Sequence, residues 1–270
     1  MTSPEAIYER VLLTNDDGID APGMQVLEHI ARSIAREVWV VAPLGDQSGT
    51  SNSISLHRPL RLSCLGERRM AVDGTPGDCV AMGLGYLLTH PLPDLILSGV
   101  NRGANLGNET VFSGTVGAAM TGLLFRVPSI ALSQAFLDRS AVPWHIAKQH
   151  GAEVIRKIST MGWQKDTCLN VNFPISLRDA PLEVKVTHQG RGTLCEVRVV
   201  SKKDPGGQEY HWLQLHREAE ADQEGTEASE LDAGYVTVTP LCFDRTQNAA
   251  LQQASDSALH TRKDSVAGSV

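Results

Sequence analysis

The sequence predicts an α/β protein: a mostly parallel sheet with helices on both faces, followed by a β-rich C-terminal extension. Three observations carry this. Short apolar runs alternate with segments of helical period through the first half. Polar, glycine-rich loops follow the apolar runs rather than precede them. After about residue 180 the pattern changes to short alternating segments with turn signals between them.

The elements follow in order. Val11–Leu13 reads as a buried strand, and Met24, Leu27, Ile30 and Ile34 give the segment from Pro22 to Ala35 a helical face. "VWVVAP" (38–43) is a second strand ended by proline, and "PGDCVAMGLGYLLTH" (76–90) a helix. "DLILSGV" (94–100) is a third strand. "GTVGAAMTGLLFR" (114–126) is a helix whose small residues imply close packing. "VPSIALS" (127–133) is a fourth strand, "WHIAKQHGAEVIRKI" (144–158) a helix, and "CLNVNFP" (168–174) one more strand. Strand–helix–strand at this spacing demands parallel pairing through crossover helices, and such sheets bind ligands at the carboxyl ends of their strands. Beyond, "LEVKVTHQ", "LCEVRVV" and "EYHWLQL" suggest antiparallel ribbons, with "SKKDPGGQ" as a turn. Residues 216–232 read as an acidic loop, "GYVTVTPL" (234–241) as a strand, and the polar stretch 253–270 as a disordered tail.

Composition narrows the function classes. The chain has 270 residues, 41% hydrophobic and 20% charged, which suits a globular protein with a sizeable core. Its net charge of −7, without a long basic block, argues against binding a nucleic-acid polymer. Five scattered cysteines without a C-x-x-C fit a reducing compartment and speak against a thiolate zinc site. No apolar run reaches the roughly 20 residues of a membrane helix, and the N-terminus lacks signal-peptide character. The expected location is cytoplasmic, away from membranes.

Three strand-end loops carry the chemistry. In Asn15-Asp16-Asp17-Gly18, one acid is explained by a turn and the other by a helix cap. Alternatively, a divalent cation turns the repulsion of two adjacent carboxylates into shared ligation. The sequence leaves both readings open. In "PLGDQSGTSNSIS" (43–55), Ser48 and Gly49 offer a hydroxyl and backbone N–H groups, or merely a flexible link. The stretch "SGVNRGANLGNETVFSGTVGAAM" (98–120) carries Asn101, Asn105 and Asn108, then opens a helix with Ser113-Gly114-Thr115. Free N–H groups at such a helix start suit a phosphate. "DGTPGDC" (73–79), with Thr75, Pro76 and Asp78, is explained by capping alone. Together the loops offer only oxygen donors. That favours Mg²⁺ or Mn²⁺ over zinc or copper, and phosphoryl hydrolysis over other chemistry.

"LLTNDDGIDAPG", "VVAPLGDQSGTSNSIS", "VDGTPGDCV", "PDLILSGVNRGANLG" and "FSGTVGAAM" resemble, in order, the signatures of the SurE (stationary-phase survival protein) family; "DPGGQEYHW" and "DAGYVTVTPL" continue the likeness. The resemblance implies a metal-dependent 5′-nucleotidase with a Rossmann-like core over about 8–175. It also implies a β-rich extension over about 180–245, used in forming a homodimer or homotetramer, the whole forming one domain from 8 to 252. It implies that Asp16, Asp17, Ser48 and Asn101 hold one divalent cation per subunit, Mg²⁺ or Mn²⁺. Asp16 and Asp17 would take part in catalysis. Asn105, Ser113, Gly114 and Thr115 would lie on the phosphate side. The substrate would be a nucleoside 5′-monophosphate cleaved by metal-activated water, with 3′-nucleotides and short polyphosphate as further substrates. Leu44, Phe112 and Thr121 stand where members commonly carry Asp, Tyr and Glu, and no basic residue precedes Ser48. These departures bear on substrate preference and rate.

Two other classes suit the fold. A non-catalytic nucleotide sensor would bind nucleotide without releasing phosphate. A dinucleotide-dependent oxidoreductase would need G-x-G-x-x-G after the first strand, where this chain has N-D-D-G.

Overall fold

The structure is a computed structural model, and it describes residues 6–162, 164, 166–176, 183–218, 223–248 and 250–252. The tail expected over 253–270 lies outside the described residues.

Strands β1 (Tyr8–Thr14), β2 (Ala35–Pro43), β5 (Leu95–Arg102), β6 (Ser129–Gln134) and β7 (Cys168–Phe173) are parallel neighbours in the order β2-β1-β5-β6-β7. Helices α1 (Pro22–Arg32) and α4 (Trp144–Met161) cover one face; α2 (Pro76–Met82) and α3 (Gly114–Leu124) cover the other. Alternation along β1 explains the division. Val11 and Leu13 pack beneath α1, while Leu12 faces α2. On α1, Met24, Leu27 and Ile30 are fully buried, each contributing about 1.5–3 kcal/mol.

Four features differ from the sequence reading. The predicted helix 76–90 ends as an α-helix at Met82 and continues to Leu87 with π-type hydrogen bonding. Residues unassigned from sequence form β3 (Leu62–Gly66) and β4 (Arg69–Val72), which extend the sheet beyond β2. The expected antiparallel ribbons are only partly so. Strands β9 (Leu194–Lys203) and β10 (Glu209–Arg217) form a separate antiparallel hairpin. However, β8 (Val184–Val186), expected in a ribbon, joins the main sheet parallel to β11 (Val236–Leu241), the strand expected over 234–241, which is itself antiparallel to β7. The acidic stretch 216–232 is not all loop, because β10 runs to Arg217 and α5 spans Glu227–Asp232. Thr226 caps α5 by accepting the Ser229 N–H at 3.3 Å, and Glu227 and Glu230 favour its first turn.

The chain reverses its direction of travel across the sheet between β1 and β5. That switch point leaves a crevice at the carboxyl ends of the two strands. The three polar loops all open there.

Candidate active site

Local sequence fixes each loop at the crevice. Asn15 closes the turn after β1 by donating its amide to the Gly18 carbonyl at 2.7 Å. Gly18 has φ +103°, and a Cβ there would lie 3.1 Å from the Gly45 backbone, so only glycine lets the loops after β1 and β2 touch. The contact is sealed where Gln47 donates its N–H to the Asp16 carbonyl at 2.7 Å and Ile19 donates to Pro43 at 2.8 Å.

The third loop is aimed by a bulge. Gly99 and Val100 of β5 together oppose Leu132 of β6, shifting the register between Ser98 and Asn101. Gly99 adopts φ +141°, with the Leu132 carbonyl 2.3 Å from where a Cβ would be. Beyond this kink, Asn101 and Arg102 face the crevice.

A cavity of about 550 Å³ is lined by Asp16, Asp17, Ser48, Asn101, Asn105 and Ser113, among others. Four residues from three loops, separated by up to 85 positions in the chain, thus share one wall with two residues of the expected phosphate side.

The two acids differ. Asp16 is buried, and Thr115 Oγ1 donates to its Oδ1 at 2.5 Å. Burial pushes its carboxyl up from 3.8 to about 6; the Thr115 hydrogen bond works against that rise, and the like charge of Asp17 adds to it. Asp17 is half-buried, and its Oδ2 accepts the Arg102 N–H at 3.1 Å. Burial raises its carboxyl too, opposed by that N–H and by the charge of Arg102. Among the described residues, neither acid has an ion-pair partner.

A divalent cation fits this donor set. Forcing charge onto Asp16 costs on the order of 3 kcal/mol at neutral pH, and no side-chain cation in ion-pair contact offsets it. Asn101 donates its amide to the Gly103 carbonyl at 2.9 Å, leaving its amide oxygen for a cation. Ser48 Oγ donates to Asp46 Oδ1 at 2.6 Å and keeps its oxygen lone pairs. All the donors are hard oxygens.

Three expected phosphate-side residues sit differently from that reading. Thr115 is fully buried behind Asp16, its hydroxyl committed to the carboxylate, and it does not line the cavity. Gly114 is likewise behind the wall. A Cβ there would meet Asp16 Cβ at 2.8 Å and Thr50 Oγ1 at 3.1 Å. Ser113 lines the cavity, but its hydroxyl caps α3 by accepting the Val116 N–H at 3.1 Å. Asn105 also lines it, with its amide donating to Ser133 Oγ at 2.8 Å. The physical reason is shared by Ser113, Gly114 and Thr115. A helix start and its cap must first satisfy their own polar groups, and a buried carboxylate needs a donor. Asp78 has the structural role expected of it: its carboxylate completes the capping box with Thr75 and also takes the N–H and hydroxyl of Ser55, at 2.8 and 2.7 Å.

A family model described as "Survival protein SurE" matches residues 11–196. The chain belongs to the SurE family. It is 57% identical to 5′-nucleotidase SurE 1 of Burkholderia lata over 93% of this chain and 97% of that one. It is 48% identical to 5′-nucleotidase SurE of Rhodopseudomonas palustris over 89% and 96% of the two chains. A crystal structure of the SurE protein from Aquifex aeolicus superimposes with a TM-score of 0.76 at 35% identity, covering 90% of this chain and 97% of that one. SurE membership fits the fold and the order of the three loops.

Sequence reasoning missed the far wall of the cavity. Arg139, in the loop after β6, lines it and lowers the carboxyl of Asp17 through its charge. Arg217 of β10 also lines it, gripping Glu109 with two hydrogen bonds of 2.8 and 2.6 Å. Phe112, Phe136 and Leu215 add apolar surface. Only Arg139 had a sequence signal, as a basic residue in a loop following a predicted strand.

Proposed function

We propose that this chain is a divalent-metal-dependent phosphohydrolase acting on nucleoside 5′-monophosphates. The observation that carries the reading is a pair of adjacent carboxylates, one buried and one half-buried, without ion-pair partners among the described residues, facing a cavity lined by Ser48, Asn101, Arg102 and Arg139 as well. The relatives named 5′-nucleotidase support the substrate class. Phe112 and Phe136 give the cavity aromatic faces against which a base can stack. The same cavity has room for 3′-nucleotides and short polyphosphate.

Asp16, Asp17, Ser48 and Asn101 would hold one Mg²⁺ or Mn²⁺, which when bound supplies charge neutralisation at phosphate and lowers the pKa of water. The chain's own residues divide the remaining work. Thr115 fixes Asp16 from behind. Asp17 is the more exposed acid, held on one oxygen by the Arg102 N–H, and so is placed to orient the attacking water and accept its proton. Arg139, which lines the cavity, stabilises charge on the phosphate oxygens.

Phosphate release from nucleoside monophosphates, with Mg²⁺ and with Mn²⁺, tests the proposal. Asp17→Asn should lower kcat by at least about 100-fold, and EDTA should abolish turnover. Full activity in either case overturns the metal reading. Nucleotide binding without phosphate release would instead make the protein a sensor. Single turnover in ¹⁸O-water should label phosphate only; label in an aspartate would mean an aspartyl-phosphate route.

Self-association as a dimer or tetramer belongs to the same proposal. The β9–β10 hairpin exposes Val197, Val199, Leu213 and Leu215 on one face, more apolar surface than an isolated ribbon carries comfortably. Leu213→Ser should lower the sedimenting mass; an unchanged mass removes the hairpin from the assembly.

A further inference from the structure

A second group of ligand-type side chains lies at the root of the β9–β10 hairpin, outside the oxygen-only site. Cys195, His216 and Glu218 place one ligand atom each within 4.8 Å of the others. No sequence spacing announces them, because Cys195 and His216 lie on different strands.

Register explains the meeting. The ladder shifts between His216 and Arg217, which pair with Glu196 and Leu194. Cys195 is the extra residue of this bulge, so it joins Glu196 opposite His216 rather than pointing away from it. Glu218 follows His216 by two positions, and its N–H donates to the Thr193 carbonyl at 2.9 Å, continuing the ladder. Alternation puts His216 and Glu218 on one face and Leu215 and Arg217 on the other, where they line the cavity.

We propose that Cys195, His216 and Glu218 form a second cation site, selective for a borderline metal of the Zn²⁺ class, which clasps the hairpin root. The donors are one sulfur, one imidazole nitrogen and one carboxylate oxygen, a set that suits Zn²⁺ and not Mg²⁺. Metal–ligand bonds of about 2.0–2.3 Å put tetrahedral corners roughly 3.3–3.7 Å apart. His216 Nε2 and Glu218 Oε1 already stand 3.3 Å apart. Cys195 is an exposed thiol outside any disulfide, and its Sγ donates to the His216 carbonyl at 3.3 Å; rotation away from that carbonyl brings the sulfur in, and it binds as the thiolate after losing its proton. A solvent molecule completes the fourth position. Arg217 lies between two of the ligands, so an occupied clasp also fixes the backbone that holds its guanidinium on Glu109. The site does not depend on the phosphohydrolase reading.

The test is binding, not turnover. Full-length protein carrying Asp17→Asn, which weakens the oxygen site, is stripped with chelator and titrated with Co²⁺ alone, then with Zn²⁺. The expected result is a near-ultraviolet thiolate-to-cobalt charge-transfer band, bleached by Zn²⁺. Cys195→Ser should abolish the band; His216→Ala and Glu218→Gln should weaken Zn²⁺ binding at least about tenfold. Zn²⁺ should also slow amide exchange at residues 216–218, except in Cys195→Ser. Absence of the band in the parent overturns the proposal. So does its survival in Cys195→Ser, which would trace it to another thiol such as Cys64 or Cys242.

Discussion

The crevice between β1 and β5 and the hairpin of β9 and β10 both face the same cavity, yet they are built on opposite principles. At the crevice, backbone approaches backbone so closely that glycine alone fits. A Cβ on Gly117 of α3 would lie 2.2 Å from the Ser51 carbonyl, and one on Gly18 would crowd Gly45. Every polar loop there is tied to another loop. The hairpin is exposed along most of its length, with Leu213 72% and Trp212 59% exposed, and among the described residues it is fastened at its root. There the buried Glu227 takes the N–H groups of Gly107 and Gly190, at 2.6 and 2.7 Å. The contrast teaches that groups requiring fixed geometry stand on the rigid wall. The hairpin contributes a second wall that can vary without disturbing them.

The sharpest way to break the comparison is to fill the gap under α3. Gly117→Ala drives a methyl into the Ser51 backbone and should cost about 3 kcal/mol or more, read as a lower urea midpoint. A loss under about 1 kcal/mol would show that the crevice is as yielding as the hairpin.

The next test concerns the acid pair. Without a bound cation, burial holds the Asp16 carboxyl at about 6, against an ordinary 3.8. The folded state therefore holds the proton more tightly. This contribution is fully present below about pH 3.8 and is lost as pH rises through 6, by on the order of 3 kcal/mol. Thermal unfolding in EDTA should show stability from this group falling over that window. The gain in Tm on adding Mn²⁺ should be larger near pH 7.5 than near pH 5. An equal gain at both would mean that the cation does not neutralise Asp16.

Thr115→Val probes the support behind Asp16 without touching the cavity wall. It should weaken Mn²⁺ binding about 10–100-fold while leaving the fold intact, as calorimetric titration would show. The smallest effect belongs to the hairpin. Arg217→Ala removes a half-exposed ion pair with Glu109 and should change stability by less than about 1 kcal/mol. Its effect should fall on KM rather than kcat, because its guanidinium lines the cavity from the hairpin and is held by Glu109 rather than by either aspartate; an equal loss in kcat would place it among the reacting groups.

Legibility followed the same division. The parallel sheet was readable because apolar runs and helical spacing announce buried elements, and the loops of the crevice were readable because they follow predicted strands; that Asp16, Asp17, Ser48 and Asn101 act together was implied by the family resemblance alone. Thr115 was assigned to phosphate rather than to Asp16, since spacing along a chain does not say which polar group a buried hydroxyl must satisfy. Strand β8 was read as part of an antiparallel ribbon but pairs parallel to β11, because alternation reveals a strand but not its neighbour. Arg217 and the Cys195 group were invisible for a further reason: a one-residue bulge decides which side chains share a face.

The bulge at Gly99 and Val100 has a practical corollary. Deleting Gly99 would restore regular pairing between β5 and β6 while leaving Asn101 opposite Ser133, so the asparagine would keep its face and lose only the bend with which the chain leaves the strand. One residue fewer thus offers an edit that separates the aim of a loop from the identity of its side chains: the asparagine keeps its neighbour, and only the direction of the backbone beyond it changes.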